Sequence, residues 1–266
     1  MLAAPFPAGP AYAVRADPYP AVASSYLLKI NGKAVWEHSP DRRLPVASLT
    51  KMMTALLVLE GDRLEETATV GGAAAGETGT RIGLQRGERM RVGDLLAATL
   101  LASANDAAHV LADHMAGTEA RFVRRMNARA AELGMENTHF ANATGHHAPG
   151  LYATARDLAI LAEKAMADPR FAALAATVRM NVRTADGSRS FQLENRNEMV
   201  GRYRGAVGVK TGYTREAGPC LVVFARRGGT RVLLVLLNAA NRWWDAVDMM
   251  DRAFSMAGNP RTDGTE

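Results

Sequence analysis

The sequence predicts an α/β fold: one antiparallel sheet built from both chain ends and flanked by helices, with an all-helical subdomain inserted between them. Three observations predict it. Asn31-Gly32, a strong hairpin signal, separates two apolar segments near the N-terminus. Short alternating or continuous apolar runs fill the chain beyond about Val178, and the stretch between carries apolar residues at helical spacing. With 266 residues, 48% of them hydrophobic, the chain can bury a substantial core.

The elements follow in order. "MLAAPFPAGPAYAVRADPYP" is rich in alanine and proline, lacks a basic n-region and offers Ala11-Tyr12-Ala13 as a small-x-small cleavage pattern. Residues 1–22 are therefore expected to be a leader or signal-peptide remnant, partly disordered, and the protein to be exported. A folded domain is expected over 23–257, with the helical subdomain over about 70–170 and a disordered tail over 258–266. The hairpin "SYLLKINGKAVWEHSP" opens the sheet. From Ser48, the spacing of Met52, Met53, Ala55, Leu56 and Leu59 predicts a buried helix that Ser48 would cap and Gly61-Asp62 would stop. "RVGDLLAATLLASANDAAHVLADHM" predicts two helices joined near Ser103 to Asp106, and "EARFVRRMNARAAELG" an amphipathic helix ending at Gly134. "TARDLAILAEKAMAD" starts on a capping pair, Thr154 and Asp157, and closes before Pro169. Then "RMNVRT", "RSFQLEN", "AVGVKTG", "CLVVFARR" and "RVLLVLLNA" read as strands, the last two as a hairpin about Gly228-Gly229, before a closing helix in "WWDAVDMMDRAFSMA".

Charge and composition exclude several function classes. The 32 basic and 27 acidic residues leave a net charge of +5, but they are interspersed, with no basic block or interleaved aromatics of the kind a nucleic-acid groove needs. A mild basic excess also suits an acidic polymer as partner. The single cysteine, Cys220, allows no intramolecular disulfide and no CxxC site, and in "GPCLVVFA" it reads as a small core residue. No stretch approaches the roughly 18 uninterrupted apolar residues of a membrane span. His139, His146 and His147 lie close together, but without an HExxH pair they predict a polar loop rather than a zinc site.

Three short motifs carry the chemistry. In "SLTK", Ser48 and Lys51 stand one helical turn apart on one face, so the amine can reach the hydroxyl. A serine hydroxyl needs a base to attack at neutral pH, and a lysine serves when burial or a neighbouring cation lowers its pKa. Met52 and Met53 support burial. Alone, the motif is ordinary helix capping. Ser103-Ala104-Asn105, in a turn between two helices, can point into a cleft, and Lys210-Thr211-Gly212 projects a lysine and a threonine from a strand whose glycine admits close backbone approach.

In this order SxxK, SxN and KTG are the signature of penicillin-binding proteins and class A β-lactamases. With "VASLTKMMT", "SANDAA", "LGMENTHFANATG", "YATARDLAIL", "ENRN" and "GVKTGYT", the chain from about Tyr26 to Phe254 resembles the low-molecular-mass serine D-Ala-D-Ala carboxypeptidases. The resemblance implies the β-lactamase/DD-peptidase fold and a penicillin-binding catalytic domain without cofactor or metal. It also implies roles for named residues. Ser48 would be the acylated nucleophile, Lys51 its general base and Ser103 a proton relay. Asn105 would hold the substrate backbone, while Lys210 and Thr211 would bind its carboxylate. The backbone N–H groups of Ser48 and Tyr213, beside Gly212, would form the oxyanion hole. Arg196 and Arg242 match family arginines near the carboxylate site. The expected partners are peptidoglycan stem peptides ending in D-Ala-D-Ala and, as covalent inhibitors, β-lactams. No nucleic acid is expected.

Three alternatives stand beside this reading: a β-lactamase, a DD-endopeptidase on the same fold, and a non-catalytic binder of peptidoglycan or β-lactam. A class A β-lactamase uses a loop glutamate to activate water. The corresponding stretch here, "FANATGHHAPGLY", holds no carboxylate, and Glu194 sits just ahead of the KTG strand instead. Larger family members carry a further β-rich domain and an amphipathic anchor helix. The chain stops soon after Phe254, which predicts a soluble periplasmic or secreted enzyme.

Overall fold

The computed structural model describes residues 17–258. Alternation along the strands sets the architecture. Strands β1 (Ser25–Ile30), β2 (Lys33–His38), β7 (Ala206–Thr214), β8 (Gly218–Arg227) and β9 (Thr230–Leu237) form one antiparallel sheet in the order β2-β1-β9-β8-β7. The two chain ends meet where β1 pairs with β9, in a register that sets Leu28 against Leu234. In β8 and β9, Leu221, Val223, Val232, Leu234 and Leu236 face one core, and Cys220, Val222, Leu233, Val235 and Leu237 face the other. Both faces must therefore be covered.

The first face is closed by helix α8 (Arg242–Met256), through Met249, Met250, Ala253 and Phe254. The second packs on the helical body. Its centre is α1 (Lys51–Glu60), buried at nine of its ten positions, and around it lie α3 (Val92–Leu100), α4 (Asn105–Ala116), α5 (Glu119–Glu132) and α6 (Ala155–Met166). A helix apolar all round belongs inside a larger assembly of elements. Here it places the N-terminal end of α1 beside the free edge of β7.

The Thr154 cap forms as expected, its hydroxyl accepting from the Asp157 backbone N–H at 3.0 Å, but the Asp157 carboxylate turns to Asn137 N and Thr138 Oγ1 instead of closing the box. Three features depart from the expectation. The helix α6 closes before Pro169 as expected, but Pro169 then opens a further helix, α7 (Pro169–Ala175), behind an Asp168 cap, because the first helical position needs no N–H. The strands β5 (Arg179–Arg183) and β6 (Ser190–Glu194) pair only with each other. So do β3 (Thr67–Thr69) and β4 (Arg89–Arg91), too short to announce themselves in the sequence, with the four-residue α2 (Gly72–Ala75) between them. Within the stretch expected as a leader, Tyr19 packs edge-on against Trp36, and the Tyr26 hydroxyl donates to Asp17. The Ala11-Tyr12-Ala13 pattern and the tail from Asn259 lie outside the described residues.

Candidate active site

Ser48 lies in a 3₁₀ turn, Ala47–Thr50, immediately before α1, and its side chain does not cap the helix. The turn starts with Ala47 at φ 48°, a left-handed conformation that an alanine adopts only where its surroundings impose it. Two glycines do so. A Cβ on Gly145 would sit 2.0 Å from the Ala47 carbonyl oxygen, and one on Gly212 would sit 3.0 Å from the Ser48 backbone nitrogen. Loop and strand edge thus pinch the serine turn from two sides, and the hydroxyl is left for Lys51.

Lys51 is fully buried. Its Nζ donates to Asn105 Oδ1 at 2.7 Å and to the Thr144 carbonyl at 2.5 Å, and lies within hydrogen-bonding distance of Ser48 Oγ, at 3.0 Å. Burial holds its pKa well below the usual lysine value and the Lys210 charge adds to this, while the Glu77 and Asp106 carboxylates pull the other way. A neutral amine has two N–H bonds and one lone pair. The two carbonyl-type oxygens can take the N–H groups, which directs the lone pair at the serine hydroxyl.

Asn105 begins α4 and Ser103 precedes it at φ 60°, nearly buried. The Asn105 amide is held from both ends, since its Nδ2 donates to the Thr78 carbonyl at 2.7 Å while its Oδ1 meets Lys51. The next residue, Asp106, accepts the backbone N–H groups of Ile82, Gly83 and Leu84, so α4 carries residues 78–84 as one wall of the site. On the opposite side, Lys210 is buried and donates to the Thr211 carbonyl at 3.0 Å. Desolvation, then the charges of Arg196 and Arg242, push its pKa down to about 7.

A cleft of about 670 Å³ opens between these walls, lined by Ser48, Asn105, Arg196 and Tyr213 together with Gly79 to Arg81, His146 and His147. Of the residues the sequence singled out, Ser48, Lys51 and Asn105 are joined directly, Gly212 touches the serine turn, and Arg196 and Tyr213 face the opening. Lys51, Ser103, Lys210 and Thr211 are buried. Arg242 stands at the back of β7, its Nη1 donating to the Gly212 carbonyl at 3.0 Å and less closely to that of Cys220. Glu194 is exposed and paired with Arg179 at 3.0 Å. His139 bonds the Gly150 carbonyl, and among the described residues no group of three His, Cys, Asp or Glu side chains could hold a metal.

Thr144, Gly145 and Asp106 were not legible as site residues. "ANATG" did carry a signal, because Asn142 bends the loop by accepting the Gly145 N–H at 2.7 Å, but nothing in the sequence aims that turn at Ser48.

Comparison with known proteins agrees with this geometry. The family profile described as D-alanyl-D-alanine carboxypeptidase matches residues 15–241. The chain belongs to this family of serine peptidases. It is 35% identical over 232 residues to the D-alanyl-D-alanine carboxypeptidase DacF of Bacillus subtilis, which covers 84% of this chain and 59% of DacF. It is 31% identical to the D-alanyl-D-alanine carboxypeptidase of a Streptomyces strain, with 94% of this chain and 92% of that one aligned. The solved structure of a mutant of a Streptomyces DD-transpeptidase superposes with a TM-score of 0.83 at 31% identity, covering 88% of this chain and 98% of its own. An ampicillin-bound penicillin-binding protein D2 of Listeria monocytogenes superposes with a TM-score of 0.77 at 33% identity, with the same coverage. The β-lactamase-like family fold expected from the motifs is therefore the one present.

Proposed function

We propose that this protein removes the terminal D-Ala from peptidoglycan stem peptides ending in D-Ala-D-Ala, through an acyl-enzyme on Ser48. The observation that carries the reading is the surroundings of Lys51: a buried, depressed amine whose third hydrogen-bonding direction ends on Ser48 Oγ. In the first step Ser48 Oγ attacks the carbonyl carbon between the two D-Ala residues and its proton passes to Lys51. The carbonyl oxygen, now negative, is received by the backbone N–H groups of Ser48 and Tyr213, a contribution of about 3 kcal/mol per donor in other serine hydrolases. The tetrahedral centre collapses, the C–N bond breaks, and the departing D-Ala amine takes the proton back through Ser103. Water then adds to the Ser48 ester and releases the shortened peptide, with Lys51 again receiving the proton.

Asn105 holds the substrate backbone, and the Lys210, Thr211 and Arg196 side of the cleft receives the terminal carboxylate. Arg242 acts from behind the strand, fixing the Gly212 carbonyl so that the edge of β7 stays in place. β-Lactams acylate the same serine, and the stretch Phe140 to Tyr152 supplies no carboxylate to hasten their release. A relative in Escherichia coli named D-alanyl-D-alanine endopeptidase aligns over 93% of this chain at 32% identity, and the same acyl-enzyme would serve cleavage of a cross-link. Because such substrates lie outside the cytoplasmic membrane, the protein acts as an exported enzyme in the periplasm or outside the cell. Among the described residues no helix is long and apolar enough to cross a membrane.

The test is D-Ala release from a pentapeptide ending in D-Ala-D-Ala. The wild type should release one D-Ala per peptide and Ser48→Ala none. Equal release by both would end the proposal.

A further inference from the structure

His109 lies one turn beyond Asn105 on α4, so the two side chains share a face. It is nearly buried, with Nδ1 2.6 Å from Glu77 Oε1 and Nε2 3.7 Å from Asp113 Oδ2. Glu77 opens the wall formed by residues 77–84. That wall meets α4 at three successive points: Glu77 on His109, the Thr78 and Thr80 carbonyls on the Asn105 side-chain and backbone N–H groups, and three backbone N–H groups on Asp106. Gly79, Thr80 and Arg81 then face Ser48 across the cleft.

We propose that His109, by gripping Glu77, is a positioning residue for acylation: it fixes the wall against α4 and thereby the orientation of the Asn105 amide. The amide has two ends of opposite hydrogen-bonding character. While the Thr78 carbonyl holds Nδ2, Oδ1 faces Lys51 and takes one of its N–H groups. If the wall shifts, the amide is free to turn its NH₂ toward Lys51. Two donors then oppose each other, and the lone pair no longer has a fixed direction toward Ser48. Glu77 has a second, separate effect, because the charge of its carboxylate favours the Lys51 proton against the effect of burial.

This inference rests on the reading of Ser48 as nucleophile and Lys51 as base, and the experiment separates the two. The acylation rate with a fluorescent penicillin is measured against pH for wild type, His109→Leu, His109→Gln and Glu77→Gln, with melting temperatures alongside. His109→Leu should acylate at least about tenfold more slowly while melting within about 3 °C of wild type. His109→Gln, which keeps a donor toward Glu77, should recover most of the rate. Glu77→Gln should move the acid limb of the profile to lower pH, since Lys51 loses a neighbour that favours its proton. A His109→Leu rate within twofold of wild type, a His109→Gln variant as slow as His109→Leu, or an unmoved acid limb in Glu77→Gln would each overturn the proposal. Should His109→Leu fail to fold, the Glu77→Gln profile decides. Absence of labelling in the wild type would instead overturn the functional reading on which it rests.

Discussion

Lys51 and Lys210 are both removed from solvent, and no carboxylate among the described residues forms an ion pair with either. Burying a cation in this way is unfavourable, and the protein responds by releasing the proton. The consequence for stability has a definite sign. Between pH 7 and the ordinary lysine value the unfolded chain carries the Lys210 proton and the folded chain does not, so stability rises with pH across that window. From pH 6.5 to 8.5 Lys210 alone should add about 2 kcal/mol to the unfolding free energy. The depressed Lys51 acts in the same direction. Cys220, pushed up to about 11, opposes the trend as its unfolded thiol ionises from about pH 8, and Tyr19, pushed up to about 12, does so from about pH 9. Urea unfolding at the two pH values should show the gain in wild type and a smaller one in Lys210→Met. A stability that falls between them would refute the burial argument. For catalysis, Lys51→Ala should lower penicillin acylation at least ~10³-fold, in line with the loss of a general base acting with its nucleophile.

At the scale of elements, the serine turn depends on what flanks it. Gly145→Ala would force a Cβ into the Ala47 carbonyl and impose a left-handed φ on the new side chain. It should reduce stability by about 1–3 kcal/mol and slow acylation of the folded fraction, both measurable on one preparation. Glu194→Ala removes only an exposed pair with Arg179 and should change stability by less than about 0.5 kcal/mol, leaving the lifetime of the penicilloyl adduct unaltered. A shortened or lengthened lifetime would give Glu194 a role in deacylation that its position does not suggest.

This scale also shows what the sequence could reveal. Ser48 and Lys51 were legible because a single turn of chain brings them together by local geometry, whereas Asn105, 54 residues from Lys51, was legible only through the order of its motif. The 3₁₀ form of the Ser48 turn was not legible, because the left-handed Ala47 answers to Gly145 and Gly212, which are remote in sequence. Residues 78–84 follow no motif. Asp106 and Asn105 hold their backbone in place as a wall, and side-chain to backbone bonds of that kind leave no periodic trace.

Across the whole molecule, the sheet was the most legible part, since alternation along β1, β8 and β9 fixes which residues enter which core. Less legible was where each pair of short strands would go, because β5 and β6 alternate much as the others do but pair apart from the main sheet. The two cores have different duties. Phe254 lies in the one closed by α8, fully buried, with the Arg227 guanidinium 4.3 Å above its ring, while α8 reaches the site through Arg242 at its other end. Phe254→Ala should cost about 3–5 kcal/mol in urea unfolding, yet the folded fraction should retain wild-type acylation. An acylation defect beyond the folded fraction would tie that core to the chemistry.

If the elements converge as proposed, Ser48 and no other residue is acylated. Intact-mass spectrometry after incubation with benzylpenicillin, followed by peptide mapping, tests it most directly. One penicilloyl group per chain should appear, confined to the peptide containing Ser48 and missing from Ser48→Ala. An adduct on any other peptide, or an undiminished one in Ser48→Ala, would contradict it.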